Sequence, residues 1–281
     1  MNFARQYREL VSTVLSRISI PAVSGIHLPR PVDEELKADE FGFVFLEDGT
    51  AAPFYTSLDD ALERLWQMYP DGRTCQADIR TLVESLDSQD AGLNALAIGA
   101  FNAMSQHVMA RAGFLPLSND HSSSKSSIPP AQIAMVGFFR PMIAGLLEQG
   151  HNLMVLEKNP AKVEIQAGVQ LMTDPSELLK CDHVLCTAST LINGTLAGLL
   201  QFKKPSAHFS LIGPSGSGLP DILFANGVDD VGGIYIRDLP ALKASLELQE
   251  SWGHAGQKYQ ISQQHYPGFS QLLDTILDKE Q

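Results

Sequence analysis

The chain of 281 residues is poor in cysteine, in positive charge and in long apolar runs, and each shortage removes a class of protein. Cys75, Cys181 and Cys186 are its only cysteines, an odd number without a Cys-x-x-Cys pair. A disulfide framework is therefore not expected, and a reducing cytoplasm fits best. Lysine and arginine total 20 against 32 aspartates and glutamates, a formal charge of -12. That sign repels phosphate backbones and anionic headgroups, so neither nucleic acid nor a membrane is an expected partner. The most apolar runs, 95–103 and 191–200, are interrupted by Asn102, Asn193 and Thr195 and fall well short of the roughly 20 residues that cross a bilayer. The opening residues lack the continuous apolar core of a signal peptide.

Several catalytic patterns are missing as well. There is no Gly-x-Ser-x-Gly elbow, no His-x-x-x-His pair and no closely spaced carboxylate pair in a site context, so a hydrolase has little support. Asp229 and Asp230 read as a solvated turn. Cys181, His183 and Cys186 are soft ligands by type. On a strand, however, alternation puts Cys186 on the face opposite Cys181 and His183, so a joint metal site is not expected. His27, His107, His151, His208, His254 and His265 stand singly and read mostly as structural, with His27 and His254 as candidates for an interdomain cleft.

What is present is a folded composition, 44% hydrophobic, with length for two ordinary domains. Residues 116–130 hold a serine tract closed by two prolines, the mark of a linker. Before it, residues 1–115 predict an α+β domain. Apolar residues from Leu10 to Ile18 lie at helical spacing, and two β-type runs flank Glu47-Asp48-Gly49-Thr50 as a hairpin. Three helices follow, over 57–69 with Ser57 at the cap, over 78–86, and over 90–112 ending at Gly113.

After the linker, residues 131–281 alternate strand and helix. Strands are expected at 132–137, 153–157, 169–172, 183–187, 208–213 and 232–236, with helices at 142–149, 175–180, 191–200 and 240–249. Such alternation demands parallel pairing, and strands apolar on both faces demand helices on both. The fold class is therefore α/β, a Rossmann-like doubly wound mostly parallel sheet preceded by the smaller α+β domain.

Ligands in such sheets lie beyond the carboxyl ends of the strands, which directs attention to four loops. The first, Gly137-Phe138-Phe139-Arg140-Pro141, opens a helix but lacks the other glycines of a dinucleotide fingerprint. Its two phenylalanines would obstruct a pyrophosphate. In the second, Glu157 stands where an acidic residue often receives a ribose hydroxyl, the rival role being a cap on the turn that follows. The third runs from Thr187 through Thr190 and Asn193 to Thr195, and its hydroxyls, amide and free N–H groups suit an anionic or carboxylate group, whereas simple N-capping would need only one of them. The fourth, Gly213-Pro214-Ser215-Gly216-Ser217-Gly218, can form an anion nest but has no lysine after its last glycine, so it is no Walker loop.

Five stretches together resemble one family: MVGFFRP, VLEKNP, TASTLINGTLAGLL, LIGPSGSGLPDILFANGVDDVGGIYIRD, and Gly99-Ala100-Phe101-Asn102-Ala103. The family is the one described as "Putative heavy-metal chelation", in which an enolase-N-terminal-like domain precedes a Rossmann-like domain. Gly216-Ser217 departs from the Thr-Pro common in the family, and the first 60 residues match weakly. The resemblance implies a site at the junction of the two domains.

The leading expectation is a soluble protein that binds a small polar ligand, a heavy-metal chelate or a chelator, between its domains. The site residues would be Asn102, Gly137, Phe138, Glu157, Thr187, Thr190, Asn193, Thr195, Gly213, Pro214 and Ser215. The alternative is an enzyme using an adenosine-bearing cofactor such as S-adenosylmethionine near Gly137 and Glu157. Metal, catalytic residues and oligomeric state stay open, a homo-oligomer included.

Overall fold

The computed structural model describes residues 2–30, 40–114, 130–157 and 167–280, so the expected linker lies outside the described residues except for Pro130. The opening amphipathic segment forms α1 (Phe3–Arg17), with Tyr7, Leu10, Val11 and Val14 as its buried stripe. Strands β1 (Val23–His27), β2 (Phe41–Leu46) and β3 (Ala51–Tyr55) pair antiparallel in that order. In the β2–β3 turn Gly49 takes φ +89°, and the Asp48 carboxylate accepts from the Thr50 amide at 2.9 Å.

Helices α2 (Ala61–Met68), α3 (Ile79–Glu84) and α4 (Ala91–Ala112) follow. The first starts after Asp60, not at the expected Ser57, and the Asp60 carboxylate pairs with Arg64 instead of a backbone amide. In α4, Asp90 accepts from the Leu93 amide at 3.1 Å and Gly113, at φ +77°, ends the helix. Every residue from Ala95 to Met109 is buried, so α4 is a core helix enclosed on all sides. Its small residues permit that: a Cβ on Gly99 would stand 2.4 Å from the Phe54 ring of β3.

The second half contains β4 (Gln132–Val136), α5 (Arg140–Glu148), β5 (Asn152–Leu156), β6 (Val169–Met172) and β7 (His183–Thr187). It continues with α6 (Leu196–Leu200), β8 (His208–Ile212), α7 (Asp221–Ala225), β9 (Asp230–Ile236), α8 (Leu239–Leu248), β10 (Gly256–Ser262) and α9 (Phe269–Glu280). The sheet order is β10-β9-β8-β7-β4-β5-β6, parallel except for β10, which runs antiparallel on β9. Its six parallel strands follow the Rossmann order, which opens a crevice between β4 and β7 where the winding reverses. Helix α5 covers β4 and β5 on one face, while α6 and α7 pack with Val184, Cys186, Phe209 and Leu211 on the other.

Three expectations change. The helix expected over 191–200 is broken at Asn193-Gly194, where Gly194 adopts φ +68°, into a 3-10 turn (Ala188–Leu191) and α6. Asp230 is not in a solvated turn but is the first, buried residue of β9, and Asp229 accepts from the Phe209 amide at 2.7 Å. Strand β10 and helix α9 were not expected. As an edge strand, β10 buries only Tyr259 and Ile261, too little alternation to mark it in a polar stretch.

A loop and two amides join the halves. Asn102 and Gln106, one turn apart on α4 and both buried, point at the loop after β8. Asn102 Nδ2 donates to Pro53 O at 3.0 Å and Ser215 O at 3.1 Å; Gln106 Nε2 donates to Ser217 O at 2.7 Å and to the Tyr259 hydroxyl at 3.1 Å. Ser215 Oγ accepts from the Tyr55 amide at 3.0 Å. Lys279 of α9 adds a cap, donating to Ala112 O at 3.0 Å at the end of α4. One cluster of buried apolar side chains accordingly runs through both halves, from Tyr7 to Ile276.

Gly218 is the tightest point of this joint, since a Cβ there would lie 2.4 Å from the Phe101 ring and 2.9 Å from Asn102 Oδ1. Gly218→Ala is expected to lower stability by about 1–3 kcal/mol, read from denaturant midpoints. Gly198→Ala, in α6 with nothing within 4 Å of the new Cβ, is the control expected to hold or raise the midpoint. A second prediction concerns acid. Burial, aided by Arg73 and Arg30, lowers the His27 pKa from 6.5 to about 4. Between those values the unfolded chain binds a proton here that the folded chain does not, so stability falls as pH drops through this window. His27→Gln should flatten that stretch of the pH–stability curve; an unchanged slope would remove His27 as a contributor.

Candidate functional site

The first two loops meet at the crevice. Gly137 adopts φ +84°, its amide donates to Leu156 O at 3.1 Å, and a Cβ there would stand 3.1 Å from Thr187 Cγ2. The first loop therefore rests on the third. Phe138 and Phe139 turn away into the apolar cluster of β4, β5 and α5. Glu157 lies half-buried at the end of β5, its amide donating to Met172 O at 3.3 Å. The N-terminal half reaches this point through Tyr55. Burial above all, then the Glu40 carboxylate and more weakly Glu157, pushes the Tyr55 hydroxyl up to about 12.

Much of the polarity of the third loop holds its own shape. Thr187 Oγ1 accepts from the Ser189 amide at 3.3 Å, and the buried Thr190 hydroxyl donates to Thr187 O at 2.7 Å. Asn193 Oδ1 accepts from both the amide and the hydroxyl of Thr195, at 3.2 and 2.6 Å. These local bonds are the capping expected of Ser, Thr and Asn beside a helix start. They leave Asn193 and Gly194 exposed at the tip.

The fourth loop is enclosed. Ser215 to Pro220 are all buried beneath α4 and β3, and a Cβ on Gly216 would stand 2.8 Å from Gly232 O. Gly213 (φ +122°) and Pro214 lead into this stretch. The glycines let backbones approach one another here, and Asn102 and Ser215 meet as partners across the joint between the halves.

Beside that joint the halves separate into a cleft of about 540 Å³. One wall is the third loop and the start of α6, with Thr190, Asn193 and Gly194; the other combines the start of α1, including Tyr7, with Asp59, Asp87 and Asn94. Asp59 (φ +47°) and Asp87 (φ +71°) both hold the left-handed backbone that non-glycine residues rarely adopt. Such conformations cost of order 1 kcal/mol or more and gather at ligand-binding positions. Asn94 braces the Asp87 loop by accepting from Ser88 N at 3.1 Å and donating to Ser88 O at 2.9 Å. Among the described residues lining the cleft are two carboxylates but no lysine, arginine or histidine.

Of the residues expected at the site, Thr190 and Asn193 line this cleft, and Thr195 is bound to Asn193 beside it. Gly137, Phe138, Glu157 and Thr187 belong to the crevice between β4 and β7, while Asn102, Gly213, Pro214 and Ser215 belong to the joint. His27 and His254 are not among the residues lining the cleft. Asp59 and Asp87 escaped the sequence reading because, just ahead of helices, they look like ordinary caps. The cysteines are buried apart from one another. Burial pushes the Cys181 thiol to about 11 and the Cys186 thiol to about 12, against thiolate ligation at neutral pH.

A protein of the DUF364 family from Desulfitobacterium hafniense DCB-2, of unknown function, shares this architecture. It is 18% identical, with a TM-score of 0.68, over 92% of this chain and 99% of its own. Another of that family and likewise of unknown function, from Pyrococcus horikoshii, is 17% identical with a TM-score of 0.64, over 93% of this chain and 100% of its own. At these identities the likeness shows the fold. No curated protein matches the chain in sequence. Residues 124–262 match the pattern of the DUF364 family, described as "Putative heavy-metal chelation".

Proposed function

We propose that the protein binds a small polar ligand, a heavy-metal chelate or a free chelator, in the cleft between its halves and within a reducing compartment. The cleft itself carries this reading: about 540 Å³, a size suited to a small molecule, with Asp59 and Asp87 facing the Thr190–Gly194 loop. The absence of basic groups from its described lining favours ligands that bring positive charge or hydrogen-bond donors. No cluster of three His, Cys, Asp or Glu suited to a metal occurs among the described residues, which favours a metal arriving already wrapped over a bare ion. Calorimetry of the chain against nickel–histidine, zinc–histidine and free histidine tests this. At least one should bind, and Asp87→Asn and Asp59→Asn should each weaken it about tenfold, ~1.4 kcal/mol. Absence of binding, or binding indifferent to both substitutions, would overturn the proposal.

The crevice between β4 and β7 favours a second reading, an enzyme using an adenosine-bearing cofactor held by Gly137 and Glu157. Thermal stabilisation by S-adenosylmethionine that disappears in Glu157→Ala is the result this reading requires.

A further inference from the structure

Histidines far apart in sequence become neighbours at the opposite end of the sheet from the cleft. His183 and His208 are the first residues of β7 and β8 and pair in register. In-register residues of parallel strands point to the same face, and the two rings have centroids 5.9 Å apart at an interplanar angle of 51°. Both are partly exposed. Their face is the one that α5 covers over β4 and β5, since Ile133 of β4 lies in register with His183.

The His208 ring is oriented. Its Nε2 faces Oδ2 of Asp230, a buried residue. An ionised carboxylate only accepts, so Nε2 carries the proton and, in the neutral ring, Nδ1 keeps a lone pair. A carboxylate behind a histidine is the outer-shell arrangement common at metal sites. The two nearby lysines are paired, Lys203 with Asp229 at 2.7 Å and Lys204 with Asp182 at 2.9 Å.

The separation suits one ion. Two imidazoles sharing an ion at about 2.0–2.1 Å have centroids roughly 5–6.5 Å apart, for angles between tetrahedral and linear. We propose that His183 and His208 form a two-imidazole site for a divalent transition-metal ion such as copper, nickel or zinc, with Asp230 as the positioning residue. Because the described residues supply no cluster of three ligands, the remaining coordination positions are open to water or to a small chelator.

The untagged full chain, titrated with Cu²⁺ alone, should bind one ion per chain, with an electron paramagnetic resonance spectrum showing two equivalent nitrogens. His183→Gln and His208→Gln should each weaken binding at least tenfold and remove one nitrogen, with circular dichroism unchanged. Asp230→Asn should weaken binding less and leave both nitrogens. Asp87→Asn, in the cleft, should leave affinity unchanged, so the fate of this site and that of the cleft are read separately. No Cu²⁺ binding, or binding and a nitrogen signature that persist in both histidine variants, overturns the proposal.

Discussion

The buried amides of Asn102 and Gln106 join α4 to the loop after β8, and the placement of the cleft depends on that junction. Each side chain is enclosed and supplies N–H donors to backbone carbonyls that would otherwise be buried without partners. Removing either amide would leave those carbonyls unpaired at about 1–3 kcal/mol apiece, which makes the junction specific as well as stable. Gly218 and Gly99 let the backbones come close enough for it to form. A central helix buried on every side from Ala95 to Met109 then becomes the shared core of two differently built halves.

That joint divides the four strand-end loops into different physical roles. The Gly213–Gly218 loop, glycine-rich enough to cradle an anion, is enclosed against α4 and serves contact between backbones. The Gly137 loop leans on Thr187 and sends its phenylalanines inward. Among the described loops, the third presents an exposed tip at Asn193 and Gly194, which lines the cleft with two aspartates of left-handed backbone. Both carboxylates of the cleft thus come from the N-terminal half, and the Rossmann-like half closes it with the third loop and the start of α6.

Much of the architecture was legible because local patterns and global fold agree. Strands β2, β3, β6 and β7 occur with the boundaries their residues indicate, and α4 runs between the Asp90 and Gly113 signals. The failures have physical causes. Edge strand β10 has too few buried residues to alternate visibly, and Gly194 interrupts an apolar run that otherwise looks helical. Asp229 and Asp230, adjacent and acidic, look solvated until the Phe209 amide and the His208 ring are seen to bind them. The site was half legible: Thr190 and Asn193 follow from strand-end logic, but Asp59 and Asp87 resemble caps.

By itself the sequence determined the fold class, the alternation of strand and helix, the negative charge and the loops that end the strands. These are properties of short stretches, carried by periodicity, turn chemistry and composition. Tertiary structure alone decided which loops are enclosed and which stand open, and which distant polar groups face one another. Asp59 and Asp87 meet Asn193 across the cleft, and His183 lies beside His208, because strand order and register bring together residues whose spacing along the chain carries no trace of it.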